Sequence, residues 1–318
     1  MKTKASQKDL TLIQLFDRFS TDEKARHHLE RVLWPHGASC PHCKNQKDKP
    51  IYKLEPRSDK KTAIRAGVYK CGACLKQFTV TVGTVFEDSK IPVRKWLIAW
   101  YLVCSSKKGI SSLQLQRNLE LGSYRTALFM AHRIRHALKE TSFPEKLTGI
   151  VEADETFVGG VSTGKGTGGK KDGKVPVMAM VQRGGAVRSK VMPTVNGANL
   201  KQAIRDNVAI CSEVHTDAHF GYRGLEPKYT HKSVKHGAGE YSRHEGENVI
   251  TTASVESFFS LLKRGVVGTF HHVSAQHLPL YLAEFDHRHN CRKMTDGERT
   301  DVGLTKAVGK RLIYKTAS

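Results

Sequence analysis

Acidic residues are scarce in this chain. Only 30 Asp and Glu stand against 52 Lys and Arg over 318 residues, a formal net charge of +22 and a pI near 9.8. Self-repulsion on this scale works against compaction, so the excess needs a purpose outside the fold. A polyanion supplies one, since each phosphate neutralised releases counterions. Long apolar runs are also missing. None approaches the roughly 18–20 residues that span a bilayer, which sets a membrane aside as the partner. The first residues, MKTKASQKDLTLIQLF, hold neither a long apolar core nor a small-residue cleavage site, and a cytoplasmic protein is expected. One further absence removes nucleotide binding. Gly164–Lys170 fit the start of a phosphate-binding loop, but Lys171 follows where the magnesium-binding Ser or Thr is required. The segment also lies between two expected strands. Lys170 and Lys171 are read instead as a basic hairpin tip suited to DNA backbone. The length allows two or three domains with cores of their own.

Four of the seven cysteines form two tight pairs, Cys40-Pro41-His42-Cys43 and Cys71-Gly72-Ala73-Cys74. In a reducing compartment, C-x-x-C pairs around a β-rich stretch point to tetrahedral zinc of the ribbon kind rather than to disulfides. His42 sits inside the first knuckle and is the alternative ligand. Cys104, Cys211 and Cys291 are isolated and are expected to act as small apolar residues.

Residues 1–36 are expected to form an N-terminal helical segment, with Leu10, Leu12, Ile13, Leu15, Phe16 and Phe19 at helical spacing and Pro35 ending HHLERVLWP. Residues 37–90 form the ribbon, with hairpin-like alternation through Phe78, Val80 and Val82 and with Lys70, Lys76 and Lys90 on its surface. Residues 91–146 read as helical. VRKWLIAWYLVCSS is apolar on nearly every side, so it should be buried. KKGISSLQLQRNLELGSYRTALFMAHRIRHALKE has the layout of a helix-turn-helix, capped at Ser111 or Ser112, turning at Gly122 and capped again at Ser123. The second helix carries Arg125, His132, Arg133, Arg135 and His136. An arginine-rich helix after a short turn suits a major groove, and Arg125 and Arg133 are the expected base-reading residues.

From 147 to 293 strands and helices alternate. GIVEADETFVGG and KVPVMAMVQRGGAVRSKVM read as three strands, GANLKQAIRDNV as a helix and SEVHTDAH as a fourth strand. ASVESFFSLLKRG and QHLPLYLAEFDHRHN follow as helices. That is the order of an RNase H-like α/β domain. Asp154 and Asp217 end apolar strands, and Glu256 opens an amphipathic helix with Lys263 two turns further along the same face. Three carboxylates from two strands and a helix suit a pair of Mg²⁺ (or Mn²⁺) ions that steer in-line attack on a phosphodiester. Taken singly, a strand-end aspartate is a turn or cap residue and Glu256 an acid favoured by the helix dipole. Glu152 faces the same side as Asp154 and competes for metal, Glu155 should point the other way, and Glu247 is a weaker rival to Glu256. His271, His272, His277, His287 and His289 match no ligand spacing and read as surface or DNA-facing imidazoles. Residues 294–318 are left as a basic tail.

The segments LERVLWPHGASCPHC, KCGACLKQFTVTVGTVFEDSKIPVRKW, VEADETFVGG, HTDAHFGY and VESFFSLLKRGVVGTFHHVS resemble, from about residue 10 to 293, the bacterial insertion-sequence DDE transposases with an N-terminal zinc ribbon, the ISXO-like group. The resemblance implies Mg²⁺-dependent cleavage and strand transfer by Asp154, Asp217 and Glu256 with Lys263. It also implies binding to terminal inverted repeats and target DNA, by a homodimer or higher oligomer. Many members carry Asn three positions before the glutamate; here that position is Ala253. A transposase-derived regulator that binds DNA without cutting is the alternative function.

Overall fold

The computed structural model describes residues 9–44, 48–58, 63–140, 145–159, 174–246 and 248–312. Two compact units divide the chain: Met1–Ser106 with Ser112–Leu138 and Lys293–Ser318, and Lys107–Ser111 with Lys139–Arg292. Among the described residues no helix is long and apolar enough to cross a membrane.

In the first unit the expected N-terminal helical run is two helices, α1 (Leu12–Arg18) and α2 (Asp22–Leu33). Thr11 and Thr21 each accept a first-turn N–H and so start a helix. Leu15 and Phe19 are buried, whereas Leu12, Ile13 and Phe16 are exposed. A three-stranded antiparallel sheet follows in the order β1 (Ile51–Lys53), β2 (Tyr69–Cys71), β3 (Gln77–Phe78). The hairpin alternation stops at Phe78; Val80 is buried outside a strand. Trp34 stands edge-on to Tyr69 and Phe78, giving this small sheet an aromatic core.

Helix α3 (Val93–Ser105) is buried along most of its length, as its composition requires. Helices α4 (Ser112–Asn118) and α5 (Tyr124–Leu138) pack on each other. Ser123 caps α5 through the Thr126 N–H at 3.2 Å. The left-handed residue between them is Glu120, at φ 50°, and not Gly122, so the turn is made earlier than expected. The stretch read as a basic tail contains a helix, Asp296–Thr305, packed on α3 and α2, with Asp301 2.8 Å from His28.

The second unit is built on a five-stranded mixed sheet, β6 (Val187–Val191), β5 (Val175–Gln182), β4 (Ile150–Val158), β7 (Glu213–Asp217), β8 (Thr230–Val234). β4, β5 and β6 are antiparallel; β4, β7 and β8 are parallel. One face packs on α6 (Gly197–Asn207) through Val151, Ala153, Met178, Met180 and Leu200. The other packs on α7 (Ala253–Gly265) and α8 (Leu278–Asn290) through Val177, Ala179, Val181, Phe258 and Leu282. A hairpin, β9 (Ser242–Glu245) with β10 (Asn248–Thr251), leads into α7. Gly265 lets the end of α7 approach its neighbours: a Cβ there would stand 2.4 Å from the Phe285 ring and 2.7 Å from the Lys108 carbonyl.

Candidate active site

Alternation along β4 decides which side chains meet α7. Val151 and Ala153 enter the α6 core, so Glu152 and Asp154 face the other side. The Glu155 side chain turns to the α6 face and accepts a hydrogen bond from the Tyr222 hydroxyl, although the residue still borders the cleft that holds Asp154. In the parallel register Glu152 stands opposite His215, placing Asp154 and Asp217 each two residues further along neighbouring strands. Asp217 ends β7 and accepts the His219 N–H at 3.0 Å. Glu256 lies in the first turn of α7, where the Thr252 hydroxyl donates to it at 2.7 Å and His236 Nε2 stands 3.4 Å away.

Asp154, Glu155, Glu256, Lys263 and Arg264 line one cleft of about 430 Å³. A second cleft of about 510 Å³ is lined by Lys108, Lys263, Arg264 and Val267. Acid and base thus share a recess, with Lys263 bordering both openings. Burial, with added repulsion from Glu155, Asp217 and Glu256, pushes the Asp154 carboxyl up to about 7 against a hydrogen bond from the Glu155 N–H. Among the described residues neither Asp154 nor Asp217 makes an ion pair, so no described side chain neutralises this pair of acids. Hard oxygen donors with uncompensated charge, beside a basic cleft, fit a divalent cation such as Mg²⁺.

The expected zinc ligands converge. Cys40 Sγ lies 3.7 Å from Cys74 Sγ, and Cys43 Sγ 3.6 Å from Cys71 Sγ. All four sulfurs lie within 4.8 Å of one another. A disulfide would need about 2.05 Å; four thiolates at about 2.3 Å from a tetrahedral zinc would be spaced as these are. Each knuckle closes alike, with Lys44 N–H to Cys40 and Leu75 N–H to Cys71, and Lys44 and Leu75 are both left-handed. His42 is exposed and outside the cluster. Among the described residues the cysteines form the one group this tight; the three acids are more widely spread.

Arg125 is exposed, its guanidinium 5.1 Å from the Phe129 ring centroid. Arg133 is half-buried and donates to the Val85 and Glu87 carbonyls, both at 3.4 Å. His132 and Arg135 are buried, because four consecutive helical positions cannot all face outward. Lys170, Lys171 and Glu247 lie outside the described residues. The histidine patch divides: His271 and His272 are exposed, while His287 is buried beside Cys291 and His289 stands edge-on to Phe258.

Glu152, the rival to the other acids for metal, has protein partners of its own. Glu152 is fully buried, paired with Arg183 and bonded to the first N–H groups of α7. Sequence reasoning missed Arg183, Thr252, His236, Tyr222, Arg264 and Lys108. Tyr222 falls in the HTDAHFGY segment and Arg264 next to Lys263, so two of these were within reach of the sequence.

Residues 146–290 match the ISXO2-like transposase domain, and residues 20–77 the transposase zinc-ribbon domain. An uncharacterized protein in transposable element ISH50 of Halobacterium salinarum is 27% identical over 299 residues, covering 85% of this chain and 91% of its own length. A chain in a crystal structure of a pre-cleavage Mos1 transpososome aligns with 63% of this chain and 72% of its own at 14% identity. Its TM-score of 0.25 is too low to bear on the fold.

Proposed function

This chain carries the zinc ribbon and the ISXO2-like DDE domain of insertion-sequence transposases, and we propose that it binds the terminal inverted repeats of its element, cleaves the ends and joins the 3′-ends to target DNA. The observation that carries this reading is the meeting of Asp154 and Glu256 with Lys263 and Arg264 in one cleft, with Asp217 on the strand beside Asp154. Asp154 and Asp217 would hold Mg²⁺ (or Mn²⁺) between β4 and β7, and Glu256 would complete the set from α7. Bound there, the ions supply activation of a water or 3′-hydroxyl and stabilisation of the leaving oxygen. Lys263, Arg264 and Lys108 neutralise the phosphodiester and hold it across the recess. Thr252 keeps one Glu256 oxygen occupied and so fixes the direction of the other.

The sheet order, three antiparallel strands continued by two parallel ones, supports an RNase H-like reading of the second unit. The α4–α5 pair supports a helix-turn-helix, with Arg125 as its exposed arginine. Binding two element ends calls for a homodimer or higher oligomer on DNA.

Ala253 favours a second reading. It stands one turn before Glu256 at the exposed start of α7, where the family resemblance implies an amide. A chain lacking that group could survive as a DNA-binding regulator. Gel shifts and strand cleavage in Mg²⁺ with terminal-repeat DNA separate the two. The parent is expected to bind and cut. Asp154→Asn should bind equally but cut at least about 100-fold more slowly, beyond the 10–100-fold that outer-shell changes cost. A parent that binds without cutting supports the regulator, and undiminished cleavage by Asp154→Asn removes that residue from the site.

A further inference from the structure

The proposed reaction leaves the buried side chain of Glu152 without a role, yet residues of the three elements that carry the acids meet around it. One of its oxygens accepts the Ser254 N–H at 2.6 Å and the Val255 N–H at 3.4 Å. The other accepts the Ser254 hydroxyl at 3.1 Å and Arg183 through Nε at 3.1 Å and Nη2 at 3.0 Å. Arg183 also donates to the Val249 carbonyl at 2.8 Å and lies 3.2 Å from His215 Nδ1. His215 Nε2 meets Glu213 at 2.7 Å.

The spacing repeats. Glu152 is two residues before Asp154 on β4, His215 two before Asp217 on β7, and Ser254 two before Glu256 on α7. On a strand, residues two apart share a face, so the network lies one step behind the acids along the same side of the sheet. The first N–H groups of a helix have no partner within it and carry its positive end. A carboxylate placed there fixes both the position and the direction of the helix. Thr252, at the N-cap, makes no capping bond and gives its hydroxyl to Glu256 instead. A buried ion pair is a weak source of stability compared with apolar residues of equal volume. Its return here is fixed geometry.

We propose that Glu152 is the positioning residue of the acid cluster: with Arg183 and His215 it holds the start of α7 against β4 and β7, so that Glu256 shares a divalent cation with Asp154 and Asp217. This rests on reading those acids as a cation site. Outer-shell partners that orient metal ligands typically cost 10–100-fold in metal affinity when altered.

Mn²⁺ is the probe, with the free ion followed by electron paramagnetic resonance during titration of the full chain in its zinc-bound form. The parent is expected to bind Mn²⁺ at a site that Asp154→Asn abolishes. Glu152→Gln keeps the side-chain shape and an acceptor for Ser254 but loses the charge facing Arg183. It should weaken Mn²⁺ binding by about 10- to 100-fold, while zinc content, circular dichroism and DNA affinity stay at parent values. Ser254→Ala, which deletes one donor at a half-buried position, should weaken it in the same direction and decides the matter if Glu152→Gln does not fold. Parent-like Mn²⁺ affinity in Glu152→Gln, or in Ser254→Ala should the first misfold, overturns the proposal. A parent with no Asp154-dependent Mn²⁺ site overturns the reading of the acids, and this proposal with it.

Discussion

Burial drives two ionisable side chains of the second unit in opposite directions. It favours the neutral form of each, which raises Asp154 to about 7 and lowers His289 to about 4, the latter aided by the nearby Arg292 charge. For His289 the sign is clear. The unfolded chain takes up a proton near the usual 6.5, and the folded chain resists it until about 4. Its contribution to stability is therefore present above pH 6.5 and is lost as pH falls through about 4. At about 1.4 kcal/mol per pKa unit, the loss between pH 7 and 4.5 should be about 2–3 kcal/mol. Replacing the imidazole by the uncharged ring in His289→Phe should shrink the difference in stability between those two pH values by that amount. Denaturant unfolding at both would measure it, and an unchanged difference would acquit His289. Glu152 meets burial differently: a guanidinium and the N–H groups at a helix start surround its side chain.

At the scale of elements, the zinc ribbon has a core of a few residues, chiefly Cys40, Cys71 and Phe78 with Trp34, Ile51 and Tyr69 around them. So small a sheet needs a metal to hold it, and the ligand spacing answers that need. Cys40→Ser should lower zinc from about one per chain toward none and unfold β1–β3. Elemental analysis with limited proteolysis checks this; full zinc content and parent-like resistance would remove Cys40 from the site. Helix α5 carries its arginines on different faces, and they should differ in effect. Arg125 is exposed and available to a guanine edge, so Arg125→Ala should reduce preference for the cognate repeat over random DNA by about 1–3 kcal/mol. Arg133 is engaged with the Val85 and Glu87 carbonyls, and its removal should be felt in stability first. Competition binding gives the specificity ratio. If Arg125→Ala leaves that ratio intact, sequence is read by another element, and the ribbon is the next to test.

For the molecule as a whole, the net charge of +22 is the dominant electrostatic fact. Phosphate contacts position a protein while base contacts specify sequence, so most of this charge should act on all DNA alike. Affinity for random DNA should fall steeply with salt, by roughly 10³–10⁵ between 50 and 200 mM if six to ten phosphates are contacted. Lys170→Ala should weaken cognate and random binding together and reduce the salt slope by about 1. A binding series across salt concentrations tests this, and a slope equal to the parent's would take the basic segment off the DNA.

The sequence by itself determined the periodic and the local features. Short apolar stretches set the strands carrying Asp154 and Asp217, although Asp154 falls in the middle of β4 and not at its end as expected; helical spacing set α7 with Glu256 and Lys263 on one face, and two C-x-x-C pairs set the zinc ligands. Each depends on near neighbours in the chain, which a pattern can carry. Tertiary structure alone decided what distant partners impose. The arginines of α5 read alike in sequence, but packing buried Arg135 and tied Arg133 to carbonyls some 46 to 48 residues away. The residue that turns the chain into α5 proved to be Glu120, because backbone position and not glycine content fixes where a left-handed conformation falls. Glu152 was visible as an acid beside Asp154, but its role hangs on the N–H groups of Ser254 and Val255, more than 100 residues further on. Period-two alternation tells which face a carboxylate takes; only the fold supplies the helix end that meets it there.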